Sequence, residues 1–285
     1  MLCYWGFLVD ATQMQRVANQ NVVYITHLNV YKRGKFMSEH WYCAITGAPR
    51  YTSIGKNGKE RNTTLRDAKA APGTLVPSVS TINGQLSKAG LDTWKQTQAL
   101  LAAAENPRGL EESEKEYVER ILYLSKTKSR EAAERGTLIH DFLESFYAQE
   151  YLPNMPSYVR NVDDAITVHF GSQLWIPEQS LVNAQEGYGG KCDLYCKPTH
   201  NFGGIVIDFK TTEKSPSDLT PYLEHTLQLA AYREVLAPSA RCANVYINGE
   251  TGEVAIYEHK EQDLRDGYEM FLMLLKIYKL KTGLN

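Results

Sequence analysis

Apolar positions beyond residue 75 recur first with helical spacing and then with the spacing of β-strands. The helical pattern predicts four helices, over 94–105, 111–125, 130–150 and 157–170. Strand-like segments follow at 173–185, 188–196 and 204–211. The remaining sequence predicts a helix over about 222–236, a hairpin of 242–248 and 253–258, and a closing amphipathic helix through Tyr278. This order indicates an α/β fold with a mixed central sheet.

Residues 1–75 follow a different pattern, first rich in β-branched and aromatic residues and then in basic ones. Val22–Tyr31 and Phe36–Thr46 predict a hairpin. Between residues 49 and 70, six Lys and Arg residues stand against two acidic residues. Two interpretations of this basic segment stay open: a solvated loop, or an arm that contacts phosphates. We therefore predict an N-terminal β-rich, basic extension over 1–75 and a second domain over 76–285.

Composition is that of an ordinary globular protein, with 43% hydrophobic and 22% charged residues and a net charge of −2 over 285 residues. Nucleic-acid binding would therefore depend on local patches. No apolar run approaches the roughly 18 residues of a membrane span, and the run Leu2–Val9 lacks the basic flank of a targeting signal. Five scattered cysteines indicate reduced thiols in the cytoplasm.

The strand predicted at 204–211 carries the clearest candidate chemistry. Successive strand residues point to opposite faces, so Asp208 and Lys210 project together while Phe209 faces the other side. An acid and a lysine side by side at the end of a buried strand indicate metal-dependent phosphodiester chemistry. The Asp/Glu-x-Lys pattern also occurs at Asp67–Lys69 and Glu258–Lys260, but neither copy has a suitable apolar strand and neighbours.

A second carboxylate, Asp193, lies on the preceding strand. If the two strands pair as neighbours, Asp193 and Asp208 can reach one divalent ion; the alternative is a surface residue on a half-exposed strand. Gly189 and Gly190 just before it favour close approach of some group to the backbone. Cys192, Leu194 and Cys196 are expected to share the apolar face. The two cysteines would be roughly 13 Å apart on a strand, too far for one zinc ion.

Two helices carry further candidates. His140 and Glu144 lie one turn apart on the first, where the alternative for the histidine is a satisfied core residue. Gln228 and Tyr232 share one face of the second, as a phosphate- or base-contacting pair or as part of an ordinary polar face.

Taken together, these residues resemble the RecB-type PD-(D/E)xK nucleases. The matching positions are Gly136 and Thr137 with His140, Gly190 with Asp193, Asp208 to Thr212, and Gln228 with Tyr232. That family includes nuclease domains of bacterial recombination helicases, phage exonucleases and the mitochondrial genome maintenance exonuclease. The resemblance covers roughly residues 76–260. It implies a restriction-endonuclease-like core, a mixed central sheet flanked by helices, here with an N-terminal β-rich extension and a helical insertion.

The resemblance also implies roles for individual residues. The metal ligands would be His140, Asp193, Asp208 and the backbone carbonyl of Phe209; Glu178 corresponds loosely to a further acidic position, for which Glu186 competes. Lys210 would be the catalytic lysine, acting with Asp208, Asp193, Gln228 and Tyr232. Substrate contacts would come from Gln228, Tyr232, Arg135, Lys191, Thr211, Glu144 and His225.

The implied activity is that of a Mg²⁺- or Mn²⁺-dependent deoxyribonuclease. It would act as an exonuclease on single-stranded DNA or DNA ends, in recombination, repair or replication, in the cytoplasm of a bacterium or a phage-infected host. A recombinase or a single-strand-binding protein would be its partner. Relatives with an iron–sulfur cluster carry three cysteines after the Gln-Tyr helix; only Cys242 follows Tyr232 here, so no cluster is expected. A structure-selective endonuclease and a non-catalytic DNA-binding scaffold remain as alternatives.

Overall fold

The computed structural model describes residues 40–284. The predicted strand Val22–Tyr31 and the first residues of its partner lie outside the described residues. The first elements in chain order are three short strands, a helix and a fourth strand: β1 (Trp41–Cys43), β2 (Thr52–Ile54), β3 (Glu60–Asn62), α1 (Leu65–Ala70) and β4 (Leu75–Pro77). β1 pairs with β4 and β2 pairs with β3, both antiparallel. The domain boundary predicted at residue 75 coincides with the start of β4 and stays a prediction.

Five helices follow: α2 (Val79–Asn83), α3 (Ala89–Glu105), α4 (Glu114–Ser125), α5 (Thr127–Tyr147) and α6 (Ser157–Phe170). α4 begins three residues later than predicted because Ser113 and Glu116 form a capping box there. The Ser113 hydroxyl accepts from the Glu116 N–H, and the Glu116 carboxylate accepts from the Ser113 N–H. None of the helices within residues 40–284 combines the length and apolarity that crossing a membrane requires.

The centre of the molecule is a five-stranded mixed sheet whose spatial order follows the chain. Its members and the two helices that follow β7 and β9 are β5 (Trp175–Asn183), β6 (Tyr188–Cys196), β7 (Ile205–Thr211), α7 (Leu223–Leu236), β8 (Arg241–Ile247), β9 (Val254–Glu258) and α8 (Glu261–Thr282). β7 and β8 are parallel, joined across α7, and the other neighbours are antiparallel. The predicted α/β fold with a mixed sheet is therefore confirmed.

Each face of the sheet is covered by its own hydrophobic core. Tyr195 and Val206 pack with residues of α7 and α8 on one face. Leu194 and Ile207 pack with residues of α5 and α6 on the other. Successive residues of β7 enter the two cores in turn, and helices cover the strand on both faces. Polar groups along β7 are therefore shielded from water.

The expected grouping of three β6 side chains on one face is wrong for Cys192. This thiol lies in the core that contains Tyr195, whereas Leu194 and Cys196 lie in the opposite one. The alternation shifts at Asp193, where the register of β5 and β6 is interrupted between two paired positions; Glu178, the β5 residue at this interruption, has a left-handed φ of 54°. Because the two cysteines occupy different cores, they do not form a metal pair.

Candidate active site

The candidate site lies where β6 and β7 separate. The ladder between them runs from Cys196 opposite Ile205 to Leu194 opposite Ile207 and stops there. Continued pairing would place Asp193 opposite Asp208. Instead, the Phe209 N–H donates to Asp193 Oδ2 at 2.6 Å, so this backbone donor is satisfied by a side chain. We call this opening between the two strands, with its two carboxylates, the fork.

Asp208 is almost completely buried, with 3% of its surface exposed. Its Oδ2 lies 2.6 Å from Lys210 Nζ and accepts a 2.8 Å hydrogen bond from Asn244 Nδ2. The two residues of the Asp-x-Lys pattern therefore project together, as the strand alternation predicts. Burial raises the pKa of the Asp208 carboxyl, while the charge of Lys210 opposes that rise. The carboxylate depends on these two donors for its charge.

Lys210 is positioned by α7. Its Nζ donates to Gln228 Oε1 at 3.1 Å, and Gln228 Nε2 donates to the Tyr232 hydroxyl at 3.0 Å. Burial holds the pKa of Tyr232 well above its ordinary value, so the phenol keeps its proton. The Tyr232 ring lies against Gly190, where an added Cβ would come within 2.5 Å of ring carbon Cε1. The glycine thus permits the close approach that the sequence indicates, and the approaching group is a tyrosine.

His140 reaches the fork from α5, on the opposite side of β7 from α7. Its Nδ1 lies 3.5 Å from Asp193 Oδ1. Burial lowers the pKa of His140, but the nearby Asp193 and Asp208 outweigh it, and the pKa is raised. Burial tends to raise the pKa of Asp193, but the attraction of His140 and Lys210 outweighs burial, and the pKa is lowered. The imidazole and the two carboxylates therefore interact as one electrostatic group.

These donors do not form a preassembled metal cage. Among residues 40–284, no three His, Cys, Asp or Glu side chains are grouped closely enough to hold a metal ion as placed. The donor chemistry nevertheless suits a hard divalent cation, because two carboxylates and an imidazole face the fork. Lys210 offsets one of the two carboxylate charges, and a protonated His140, whose pKa is raised, offsets the other, so a bound divalent cation would take the place of the imidazole proton.

Asn244 and His259 belong to the site although the sequence interpretation did not include them. Asn244 is fully buried on β8, directly opposite Asp208, and donates to both its carboxylate and its backbone carbonyl. His259 Nε2 lies 2.8 Å from Asn244 Oδ1 and donates to it, which fixes the orientation of the amide. A buried asparagine in an otherwise apolar strand was the available signal, since such a group requires a partner.

The two alternatives for a further acidic position lie in different places. Glu178 stands beside Asp193 and pairs with Lys191. Glu186 lies in the turn between β5 and β6, seven residues before Asp193 or roughly 20 Å along a strand. Of the two, only Glu178 is near the fork. Lys191, a predicted substrate contact, forms an ion pair with it.

The remaining predicted substrate contacts have their partners outside the fork. Arg135 pairs with Glu213, just beyond β7. Thr211 lies against Gly136 of α5, where a Cβ would be 3.1 Å from its hydroxyl. His225 Nδ1 is 3.0 Å from the Tyr246 hydroxyl, and Glu144 is exposed on α5. None of these makes a hydrogen bond to Asp193, Asp208 or Lys210 in the described part of the chain.

The other two Asp/Glu-x-Lys matches have structural roles. Asp67 caps α1 and pairs with Arg61. Glu258 pairs with Arg241, and its neighbour His259 supports Asn244. Neither match forms a further site of this kind. The Glu258–Lys260 match nevertheless supports the fork through His259.

No protein-family model matches the chain, and no curated protein matches it. Solved structures do show similarity. The crystal structure of SSO0001 aligns with 63% of this chain and 85% of its own, at 17% identity and a TM-score of 0.28. A protein from Eubacterium rectale, described as a candidate exonuclease, aligns with 52% of this chain and 68% of its own, at 12% identity and a TM-score of 0.36. Similarity at this level does not show a function.

Proposed function

We propose that this protein is a metal-dependent deoxyribonuclease with a PD-(D/E)xK core of the RecB type, acting as an exonuclease on single-stranded DNA or DNA ends. The observation that carries the proposal is the convergence of reactive side chains from four elements at one buried fork. They are His140 of α5, Asp193 of β6, Asp208 and Lys210 of β7, and Gln228 of α7. An inert scaffold has no chemical need for this set.

His140, Asp193, Asp208 and the carbonyl oxygen of Phe209 would hold Mg²⁺ or Mn²⁺. Oxygen donors suit Mg²⁺, and an imidazole makes Mn²⁺ an effective substitute. When bound, such an ion supplies the positive charge that activates water and neutralises the phosphate. Burial raises the pKa of Asp208, so a bound cation would also favour its charged form.

Lys210 is the residue that would act on the reacting atoms. Its ammonium group orients the attacking water and offsets the negative charge that develops on the phosphate as the phosphorus–oxygen bond breaks. Gln228 holds the ammonium at 3.1 Å, and Tyr232 in turn holds the Gln228 amide at 3.0 Å. Lys210 and Gln228 are half-buried, so their hydrogen bond is partly shielded from water while the ammonium stays accessible to a substrate.

Digestion of three labelled DNA substrates tests the proposal. With Mg²⁺ or Mn²⁺, we expect end-labelled single strands to be shortened progressively, end-labelled duplexes to be attacked more slowly, and covalently closed single-stranded circles to resist. Cleavage of the circle would indicate an endonuclease on the same residues. A folded protein that cuts none of the three would contradict the proposal.

The RecB-type resemblance also bears on the setting in which such an enzyme works. We infer a role in DNA recombination and repair, in a bacterial or phage-infected cell, beside a recombinase or a single-strand-binding protein. Co-purification from such cells with and without DNase treatment would distinguish a protein partner from one bridged by DNA.

A further inference from the structure

Three aromatic side chains of residues 40–51 form a connected column beside β6. The rings of His40 and Tyr51 are 4.6 Å apart between centroids at a tilt of 33°. The rings of Tyr51 and Tyr42 are 5.8 Å apart and perpendicular, and their hydroxyls are 2.9 Å apart. Tyr42 is buried, Tyr51 is half-buried and His40 is exposed. The aromatic column (His40, Tyr51 and Tyr42) thus runs from the protein interior to solvent.

The column is fixed to the strand that carries Asp193. Tyr42 lies against Gly189, where an added Cβ would come within 2.7 Å of Tyr42 Cβ. Ser78 bridges to Gly189, and its N–H donates to the His40 carbonyl at 2.9 Å. Gly189 precedes Asp193 by four residues, or roughly 13 Å along a strand. The column therefore has a fixed place a short distance from the fork.

The segment that contributes Tyr51 to the column carries positive charge that acidic residues only partly neutralise. Of the six basic residues between 49 and 70, Arg61 pairs with Asp67. In the described part of the chain the other five form no ion pair: Arg50, Lys56, Lys59, Arg66 and Lys69. Partial desolvation of the His40 ring beside Tyr51 and, secondarily, the charge of Lys191 lower the pKa of His40, which favours the neutral ring. A solvent-accessible ring next to a segment with unpaired cations suits a base with its phosphates.

We propose that His40 and Tyr51 form a stacking subsite for one unpaired nucleobase of the substrate strand, with the basic segment 49–70 contacting its phosphates. The subsite deepens the proposed nuclease function and rests on it. Bases stack on His and Tyr rings in single-strand recognition, and every base offers a π-face, so the subsite tolerates any sequence. Of the two interpretations of segment 49–70, this favours the phosphate-contacting arm.

The test combines an abasic walk with ring variants. Fluorescently labelled single-stranded oligonucleotides, each with one abasic position, are titrated with the Asp208→Asn protein in Mg²⁺ so that cleavage does not intervene. We expect one position to weaken binding about five- to a hundredfold. Adding His40→Ala should remove that sensitivity, and His40→Phe should restore it. Tyr151→Ala, at a fully exposed tyrosine between α5 and α6, is the matched control and should leave the profile unchanged.

Two results would overturn the subsite. One is equal binding of all the abasic oligonucleotides by the protein that retains His40. This result requires no ring variant, so it remains decisive if His40→Ala fails to fold. The other is a sensitive position that keeps its full effect in His40→Ala. A protein that shows the predicted cycle but never cuts DNA supports the subsite and contradicts the nuclease function, so the two failures are distinguishable.

Discussion

Asp208 lies in the middle of a hydrogen-bonded series that begins at Tyr232 and ends at His259. Gln228 and Asn244 each hold one neighbour through the amide oxygen and the other through the amide nitrogen, whereas the Lys210 ammonium and Asp208 Oδ2 each contact both of their neighbours. Tyr232, Asp208, Asn244 and His259 are buried, while Lys210 and Gln228 are half-buried. Removing a buried member leaves a partner unsatisfied, which costs about 1–3 kcal/mol. Single substitutions should therefore affect both stability and chemistry at this site.

Tyr232→Phe removes the hydroxyl that accepts from Gln228 Nε2 and keeps the ring against Gly190. We expect the free energy of unfolding to fall by about 1 kcal/mol and kcat on single-stranded DNA to fall severalfold, because the amide that positions Lys210 becomes free to rotate. Tyr195→Phe is the matched control, since its buried hydroxyl donates to the Leu236 carbonyl away from the fork. It should lose similar stability and keep its rate; equal loss of rate in both variants would refute the positioning role.

Asn244→Leu replaces the amide that donates to Asp208 by an apolar group of similar volume. Asp208 loses one donor and His259 loses its acceptor, so we expect about 2 kcal/mol lower stability and at least tenfold slower cleavage. Asn83→Leu offers a comparison, because this buried asparagine donates to the Glu224 carbonyl and not to a carboxylate. Full activity in a folded Asn244→Leu protein would remove Asn244 from the site.

Residue spacing explains which site members the sequence could reveal. Asp208 with Lys210, and Gln228 with Tyr232, are local pairs whose shared direction follows from strand and helix periodicity. The bond from Asn244 to Asp208 spans 36 positions and that from His259 to Asn244 spans 15. Such partners depend on strand order, which the local pattern does not specify. The interpretation of Glu258–Lys260 as an isolated match accordingly overlooked His259.

At the scale of elements, close packing of α7 on β6 depends on a missing side chain. In Gly190→Ala the new methyl would lie 2.5 Å from the Tyr232 ring. We expect a loss of about 1–3 kcal/mol in urea unfolding, as for other overpacked cores, with a fall in cleavage because Tyr232 is displaced. Gly90→Ala, on α3 with no atom within 4 Å, is the control and should be neutral or stabilising. Equal stability of the two variants would contradict this packing.

The junction of β9 and α8 should make stability depend on pH. Burial lowers the pKa of His259 from its usual 6.5 to about 4, against a weaker opposing effect of Asp263. Between these values the unfolded chain binds a proton that the folded protein excludes, so stability falls as pH drops from 6.5 to 4. Urea unfolding of His259→Gln should show a shallower slope over that range. His225, with a pKa lowered by burial to about 3, would maintain part of the fall. An unchanged slope would contradict the buried, neutral His259.

Element boundaries show where local pattern succeeds and where it fails. The ranges of β6 and α6 follow directly from apolar periodicity. α4 begins later than periodicity alone suggests because capping by Ser113 decides its first turn. The shift of faces at Asp193 was missed because it accompanies an irregularity on the neighbouring strand, where Glu178 has a left-handed backbone. Regular alternation is thus least informative beside the fork, where the strands are least regular.

At the scale of the molecule, composition suggests a division at residue 75, while contacts join residues 40–77 to the sheet. Tyr42, Ala44 and Val76 pack with Val182 of β5. The N-terminal segment therefore approaches the fork from one side of β6, with α7 on the other. Its composition could reveal strands and positive charge but not this docking, which depends on Gly189 accepting the Tyr42 ring.

The central claim is that the fork hydrolyses DNA, and paired cleavage and binding measurements on Asp208→Asn test it most directly. An end-labelled single strand is incubated with each protein in Mg²⁺ or in EDTA, and binding is followed in parallel. The wild type should shorten the strand in Mg²⁺ and stop in EDTA, whereas Asp208→Asn should bind the strand and cut it at least a hundredfold more slowly. A folded wild type that cuts no DNA with Mg²⁺ or Mn²⁺, or an Asp208→Asn protein that cuts equally well, would contradict the claim.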